Sequence, residues 1–82
     1  MPNFRVSIDL CDIYRDLTEF NLRDYNLPFC LVFIEAENPD DACLIVQERI
    51  MREIIKEKDS IEGRIMCEKI KKCMRIDRID CL

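Results

Sequence analysis

NLPFCLVFIEAENPDD, residues 26–41, is the stretch that decides the fold. Six apolar residues, 29–34, follow Pro28, and proline is tolerated as the first residue of a strand. Because these residues do not alternate with polar ones, we predict a strand that is buried on both faces and lies in the middle of a sheet. Asn38 is a favourable N-cap and Pro39 suits the first helical position, so a helix is expected to begin there.

This helix is expected to run from Pro39 to about Lys58. Its apolar residues cover more than half of its circumference, whereas a helix that packs on one sheet needs a stripe only somewhat wider than about 100°. The surplus predicts a second neighbour, either another helix of the chain or a second copy of it. A further helix is expected from about Ser60 to Lys72, where Asp59 and Glu62 have the spacing of a capping box. Gly63, in its first turn, would let another backbone approach closely.

The N-terminal part of the chain begins with FRVSIDL, residues 4–10, in which apolar and polar residues alternate. This alternation predicts a strand with one buried and one exposed face. Residues 10–21 carry apolar side chains at helical spacing, with Asp9 as a possible cap and Asn21 as a possible stop. The alternative for this segment is a long loop between two antiparallel strands.

The C-terminal stretch CMRIDRIDCL, residues 73–82, places Ile76 and Ile79 three residues apart. This period fits neither a helix nor a regular strand. A β-bulge near Asp77 and Arg78 would turn both isoleucines to the same side. Charged residues on a strand discourage pairing with other chains, so we predict a bulged, charged edge strand. Continuation of the preceding helix is the alternative.

Together these segments predict one compact domain, residues 1–82, of the α+β class. Its element order is β-α-β-α-α-β, or β-β-α-α-β if the first helix is absent, and two or three helices pack on a small three-stranded sheet. The second strand is expected in the middle, parallel to the first through a right-handed crossover and antiparallel to the last. So short a chain has difficulty covering both faces of such a strand. A homodimer that buries the remaining face is therefore expected.

The composition is that of a folded globular protein. Of the 82 residues, 49% are hydrophobic and 37% are charged, which is too apolar and too balanced in charge for a disordered chain. No apolar run approaches the ~18 residues that a membrane span needs. The first residues lack the basic and apolar regions of a signal peptide, so a cytoplasmic protein without a membrane partner is expected.

Several classes of chemistry are excluded or disfavoured. The chain has no histidine, so an imidazole base and a Ser-His-Asp arrangement are excluded. One glycine cannot build a phosphate-binding loop. Six cysteines without a CxxC pair or an export signal indicate free thiols rather than a zinc site or a disulfide framework. We therefore expect no enzyme, no metal and no cofactor.

The remaining expectation is a small protein-binding or adaptor module that acts by occlusion or scaffolding. Its contact residues are expected on the outer face of the long helix and in the acidic N-terminal segment: Ile45, Glu48, Arg52, Asp12, Asp16 and Glu19. The first alternative is nucleic-acid binding through the basic residues near the C-terminus, which are Arg64, Lys69, Lys71, Lys72 and Arg75.

Charge favours the protein-binding hypothesis. The net charge is −4, and residues 1–41 carry nine acidic and three basic side chains, whereas residues 42–82 carry eight acidic and ten basic ones. Affinity for nucleic acid comes mostly from neutralisation of phosphate, which this balance disfavours. A second alternative uses the acidic half: a short, acidic, phage-type inhibitor that competes with nucleic acid for a basic groove of a host enzyme.

Overall fold

The computed structural model describes residues 1–22 and 24–82. Its elements, in chain order, are β1 (Asn3–Asp9), α1 (Tyr14–Leu17) with a following 3₁₀ turn (Thr18–Phe20), β2 (Phe29–Glu35), α2 (Pro39–Glu57), α3 (Ile61–Cys73) and β3 (Arg75–Cys81). The predicted order β-α-β-α-α-β is confirmed. The fold is a small α+β domain in which helices pack on a three-stranded sheet.

The strand order differs from the prediction. The sheet has the order β2-β1-β3, and β1 pairs antiparallel with both neighbours. The predictions that β2 is central, parallel to β1 and antiparallel to β3 are therefore wrong. The segment between these strands leaves and returns at the same end of the sheet, where the Leu10 N–H donates to the Pro28 carbonyl at 2.8 Å. The chain consequently reverses direction next to β1 instead of crossing the sheet.

The helix predicted over residues 10–21 is shorter than expected. The Asp9 carboxylate accepts a hydrogen bond from the Cys11 N–H at 2.9 Å, which makes a turn after β1 rather than a helix cap. The short α1 begins only at Tyr14. Asn21 has φ 54° and ψ 43°, so the predicted left-handed stop is confirmed.

The predicted start of the long helix α2 is confirmed. Asn38 Oδ1 accepts a hydrogen bond from the Asp41 N–H at 2.9 Å, and Pro39 occupies the first turn. Helix α3 is capped differently from the prediction: Ser60 Oγ accepts from the Gly63 N–H at 3.4 Å. The N-cap is therefore Ser60 and not Asp59, and the predicted capping box is wrong because Gly63 has no side chain to complete one.

Gly63 allows α2 and α3 to join through a very short connection. A Cβ atom at this position would overlap the backbone carbonyl oxygen of Lys58. The predicted close approach of another backbone is thus confirmed. The tight corner lets α3 fold back along α2, so α3 covers much of the apolar surplus that the sequence shows on α2.

The bulge predicted in the last strand is confirmed. Ile79 lies opposite Val6 and Arg78 opposite Ser7, but Ile76 lies opposite Ile8, so one residue of β3 has no partner on β1. That extra residue is Asp77, and its insertion turns both isoleucines toward the helices. A period of three thus becomes compatible with a strand.

The core lies on one side of the sheet only. Helix α2 contacts all three strands and α3 packs on α2. The core side chains are those of the inward positions of the strands, the α1 segment and the inner faces of the helices: Phe4, Val6, Ile8, Leu10, Ile13, Leu17, Phe20, Leu22, Tyr25, Cys30, Ile34, Ala36, Ala42, Val46, Ile50, Ile54, Met66 and Ile70. The other side of the sheet is not covered by any described helix, and we call it the open face.

Candidate functional site

The open face is formed by the outward side chains of the three strands. Residues directly opposite one another on adjacent strands share a face. The pairing places these side chains in three rows, each running across β2, β1 and β3, and we call them the first, middle and third rungs. The rungs are, in that order, Phe33–Arg5–Asp80, Leu31–Ser7–Arg78 and Phe29–Asp9–Arg75.

Three large apolar side chains lie in a row along β2, at one border of this face. Phe29, Leu31 and Phe33 are 60%, 62% and 62% exposed, and we call them the apolar stripe. The inward side chains of the same strand, Cys30 and Ile34, are buried. The prediction that both faces of this strand are buried is therefore wrong, because the chain supplies helices for one face only.

The rest of the open face is polar and internally paired. Arg5 donates two hydrogen bonds to Asp80 Oδ2, from Nη2 at 2.8 Å and from Nε at 3.3 Å. Arg78 Nε donates to Asp80 Oδ1 at 3.0 Å. The hydrogen bonds from Arg5 are the main cause that lowers the pKa of Asp80, and those from Arg78 add to it. This carboxylate therefore joins the two arginines across β1 and β3.

The third rung carries a second negative charge. The pKa of the Asp9 carboxyl is lowered, chiefly by the hydrogen bond from the Cys11 backbone and to a smaller extent by the charge of Arg75. Arg75 itself contacts Asp12, with Nη2 3.3 Å from Oδ2. The first and third rungs thus present opposite charges on the central strand, with Arg5 in one and Asp9 in the other.

The structure separates the predicted partner-binding residues. Glu48 and Arg52 are exposed on α2, as expected. Ile45 is half-buried and packs against the core, so its predicted place on the outer face of the helix is wrong. Asp16 forms an ion pair with Lys69 at 2.9 Å, and Glu19 lies beside it at a shallow groove between α1 and α3.

The predicted basic surface is largely neutralised by neighbouring carboxylates. Lys69 pairs with Asp16, Lys71 with Glu68 at 3.3 Å, and Arg75 with Asp12. Arg64 and Lys72 are exposed on α3. Since three of the five basic side chains already contact an acidic one, this part of the surface does not present the run of free positive charge that phosphate binding requires.

The apolar stripe is the feature that the sequence-based site prediction missed. Its signal was present in the run of residues 29–34, where alternate side chains of any strand must point to opposite faces. A chain with two main helices, both on one side of the sheet, leaves the second set of side chains without a neighbour. The expected difficulty of covering both faces of this strand pointed to this outcome, but it did not indicate which of its side chains stay exposed.

Other parts of the described chain offer less chemistry. A cleft of about 920 Å³ lies between residues 21–22 and 24–26 on one side and the end of α2 on the other, and its described lining is mainly polar, with Asp24, Glu53 and Glu57 among it. Across residues 1–22 and 24–82, no three His, Cys, Asp or Glu side chains are grouped closely enough to hold a metal ion. All six thiols are free.

The chain matches no protein-family model, no curated protein and no solved structure in the comparisons made with it. Within the described residues, none of the helices has both the length and the apolar character needed to cross a membrane. The geometry of the open face is therefore the main guide to function.

Proposed function

We propose that this protein is a small, non-enzymatic protein-binding module that acts by occlusion or scaffolding, and that its contact surface is the open face of the sheet. The observation that carries the proposal is the apolar stripe. Three large side chains, each about 60% exposed, lie on the same face of one strand, and no helix of the described residues covers them. Isolated exposed apolar residues are ordinary, whereas a contiguous row of them marks a contact surface.

The energetics of the stripe support binding. Burial of apolar surface contributes roughly 25 cal/mol for each Å² removed from water, so covering two phenylalanines and a leucine is a substantial gain. Aromatic side chains are also enriched in the cores of protein interfaces, surrounded by polar groups at the rim. Here the paired charges of β1 and β3 lie beside the stripe, on one side of it. An apolar stripe at one border with charged groups beside it has the mixed character of a protein contact.

Nucleic-acid binding is the second candidate, because Phe29 and Phe33 share the open face with three arginines. Exposed aromatic side chains on a sheet can stack on the bases of single strands, and arginines can contact phosphates. All three arginines, however, contact carboxylates: Arg5 and Arg78 contact Asp80, and Arg75 contacts Asp12. The net charge of −4 also repels phosphate. Protein binding is therefore the better supported function.

Site-specific photo-crosslinking tests the proposal. A photoreactive phenylalanine replaces Phe33 in one variant and Leu44 in another, and both are expressed in cells and irradiated. Leu44 is the matched control because it is an apolar residue of similar exposure, 56%, that lies on α2. We expect discrete protein adducts from position 33 and few from position 44.

Two results would contradict the proposal. Equal adduct patterns at positions 33 and 44 would show that the apolar stripe is not a preferred contact. Binding of the purified protein to a short single-stranded oligonucleotide, with an affinity that falls steeply as salt is raised and is lost on Phe33→Ala, would favour the nucleic-acid candidate.

A further inference from the structure

We propose that the occupant of the open face is a second copy of this chain, seated face to face in one specific register. This inference rests on the proposed function, since it names the partner of the same surface. It starts from the arrangement of the three rungs, whose apolar side chains all lie on β2 and whose charges lie on β1 and β3. A symmetric dimer of two such faces is favourable when apolar side chains meet apolar ones and each charge meets an opposite charge.

Two closed two-fold arrangements cover the whole face. In the first, the axis runs parallel to the strands above β1, so that β2 of one copy lies over β3 of the other. The apolar stripe would then face Arg75, Arg78 and Asp80, while Arg5 would face Arg5 and Asp9 would face Asp9 of the second copy. Contact between like charges is unfavourable. Burial of a charged group against apolar side chains is unfavourable as well. This arrangement is rejected.

In the second arrangement, the axis lies between the two faces at right angles to the strands, above the middle rung. Each strand then lies over its own copy and runs in the opposite direction. The first rung of one copy faces the third rung of the other, so that Phe33 meets Phe29, Arg5 meets Asp9, and Asp80 meets Arg75. Every one of these contacts is apolar with apolar or positive with negative.

The middle rung fits this register as well. Leu31 meets Leu31 of the second copy, and Ser7 meets Ser7, which brings apolar and small polar groups together. Arg78 meets Arg78 at the outer border of the face. Each Arg78 already contacts Asp80 of its own chain at 3.0 Å, and its side chain is 70% exposed, so this like-charge contact lies at a hydrated rim.

The size of the face predicts a weak dimer. Seven-residue strands at about 3.4 Å per residue and three strands about 4.8 Å apart give a footprint of about 24 by 14 Å. Stacked sheets lie about 10 Å apart, a gap that phenylalanine, leucine and arginine side chains can fill from both sides. Since stable interfaces bury about 800 Å² per partner, we expect dissociation in the micromolar range.

Edge-to-edge pairing of β2 with β2 of a second copy is the main rival. It would use the free backbone groups of this strand but would leave the side chains of the apolar stripe in water, because they point out of the sheet. The face-to-face arrangement buries those side chains and uses the charges of β1 as well. The two arrangements therefore differ in whether Arg5 and Asp9 take part.

The first test measures self-association by sedimentation equilibrium from low micromolar to several hundred micromolar protein. We expect the mass to rise from that of one chain to that of two. Leu31→Glu is expected to weaken association at least tenfold, because it places a charge opposite its own copy. Leu44→Glu, of similar exposure but on α2, is expected to associate like the wild type.

The second test identifies the register by charge complementation. Arg5→Asp and Asp9→Arg are each expected to weaken self-association, since each creates like charges across the interface. A mixture of the two variants is expected to form mixed dimers, because Asp at position 5 then meets Arg at position 9 of the other chain and the native Asp9 meets the native Arg5.

One variant is labelled with ¹⁵N so that native mass spectrometry separates the mixed dimer, and circular dichroism confirms that each variant is folded. Arg5 pairs with Asp80 within the chain, so Arg5→Asp could prevent folding. In that case the self-association of Asp9→Arg is compared with that of Leu31→Glu, and both are expected to be weakened.

Three outcomes of these tests would overturn this inference. A monomer at all concentrations removes it, yet leaves the proposed function standing if photo-crosslinking at position 33 captures a different protein. A dimer that responds to neither Arg5→Asp nor Asp9→Arg indicates edge-to-edge pairing. A monomer whose crosslinks at position 33 equal those at position 44, or which binds oligonucleotides through Phe33, overturns both the inference and the proposed function.

Discussion

The two edge strands of the sheet differ in whether they are protected against pairing with other chains. Both β2 and β3 pair with β1 on one side only, so each has a row of backbone groups that could pair with another chain. Strand β3 carries arginines and aspartates on its outward side and is bent by a bulge at Asp77. These are the devices by which natural sheets prevent unwanted pairing.

Strand β2 has none of these devices between Phe29 and Ile34. All six residues are apolar, and the register with β1 is regular from Asn3 opposite Glu35 to Asp9 opposite Phe29. The outward side chains of β2, unlike those of β3, are therefore apolar and suited to burial under a partner on the open face. The difference between the two strands thus supports the proposal that the open face is the contact surface.

Isolated peptides should show the difference between the edges most sharply. A peptide of residues 28–36, with Cys30 replaced by serine, should form β-rich aggregates because it is apolar and carries little charge. A peptide of residues 74–82, with Cys81 replaced by serine, should remain soluble. The Leu31→Lys form of the first peptide is the matched control and should also stay soluble. Turbidity and infrared spectra measure the outcome, and aggregation of both native sequences to the same extent would contradict it.

Deleting one residue from each strand should also separate them. Asp77 has no partner on β1, so its deletion leaves Ile76 and Ile79 facing the helices and should change the free energy of unfolding by less than about 1 kcal/mol. Deletion of Val32 from the regular strand shifts half of its side chains to the wrong face and should prevent stable folding. Urea denaturation measures both. A severe effect of the Asp77 deletion would show that the bulge contributes more than register.

Truncation of the inward isoleucines compares how firmly each edge is anchored. Ile34 on β2 is 2% exposed, so Ile34→Ala should cost about 2–5 kcal/mol of the free energy of unfolding. Ile79 on β3 is half-buried, and Ile79→Ala should cost less because part of its side chain is already in water. Ile61→Ala, at an exposed position of α3, should lie within about 0.5 kcal/mol of the wild type. Denaturation at low micromolar protein keeps self-association out of the comparison, and equal costs at Ile34 and Ile79 would contradict it.

The features that the sequence predicted correctly are those set by neighbouring residues. Asn38 and Pro39 define the start of α2 because capping depends on a few adjacent groups. The bulge at Asp77 was predictable because only an extra residue brings two isoleucines three apart to one side. The order of the strands depends on how distant segments pack, and no local pattern of residues 29–34 distinguishes a central strand from an edge strand whose second face is exposed. The same ambiguity concealed the apolar stripe.

The smallest expected change in the free energy of unfolding comes from the ionic contacts of β3. The pKa of Asp80 is lowered in the folded protein, mainly by hydrogen bonds from Arg5, so the folded state binds a proton less readily than the unfolded state. The resulting stabilisation is present above the ordinary aspartate pKa of about 3.9 and is lost as pH falls through the lower folded value. The free energy of unfolding should therefore fall in acid, and Asp80→Asn should show a smaller fall, whereas Asp77→Asn, which removes the same charge at the bulge, should follow the wild type. Urea midpoints between about pH 3 and pH 7 measure this. Superimposable profiles of Asp80→Asn and the wild type would show that these ionic contacts add nothing measurable to the backbone pairing and the two isoleucines that hold β3.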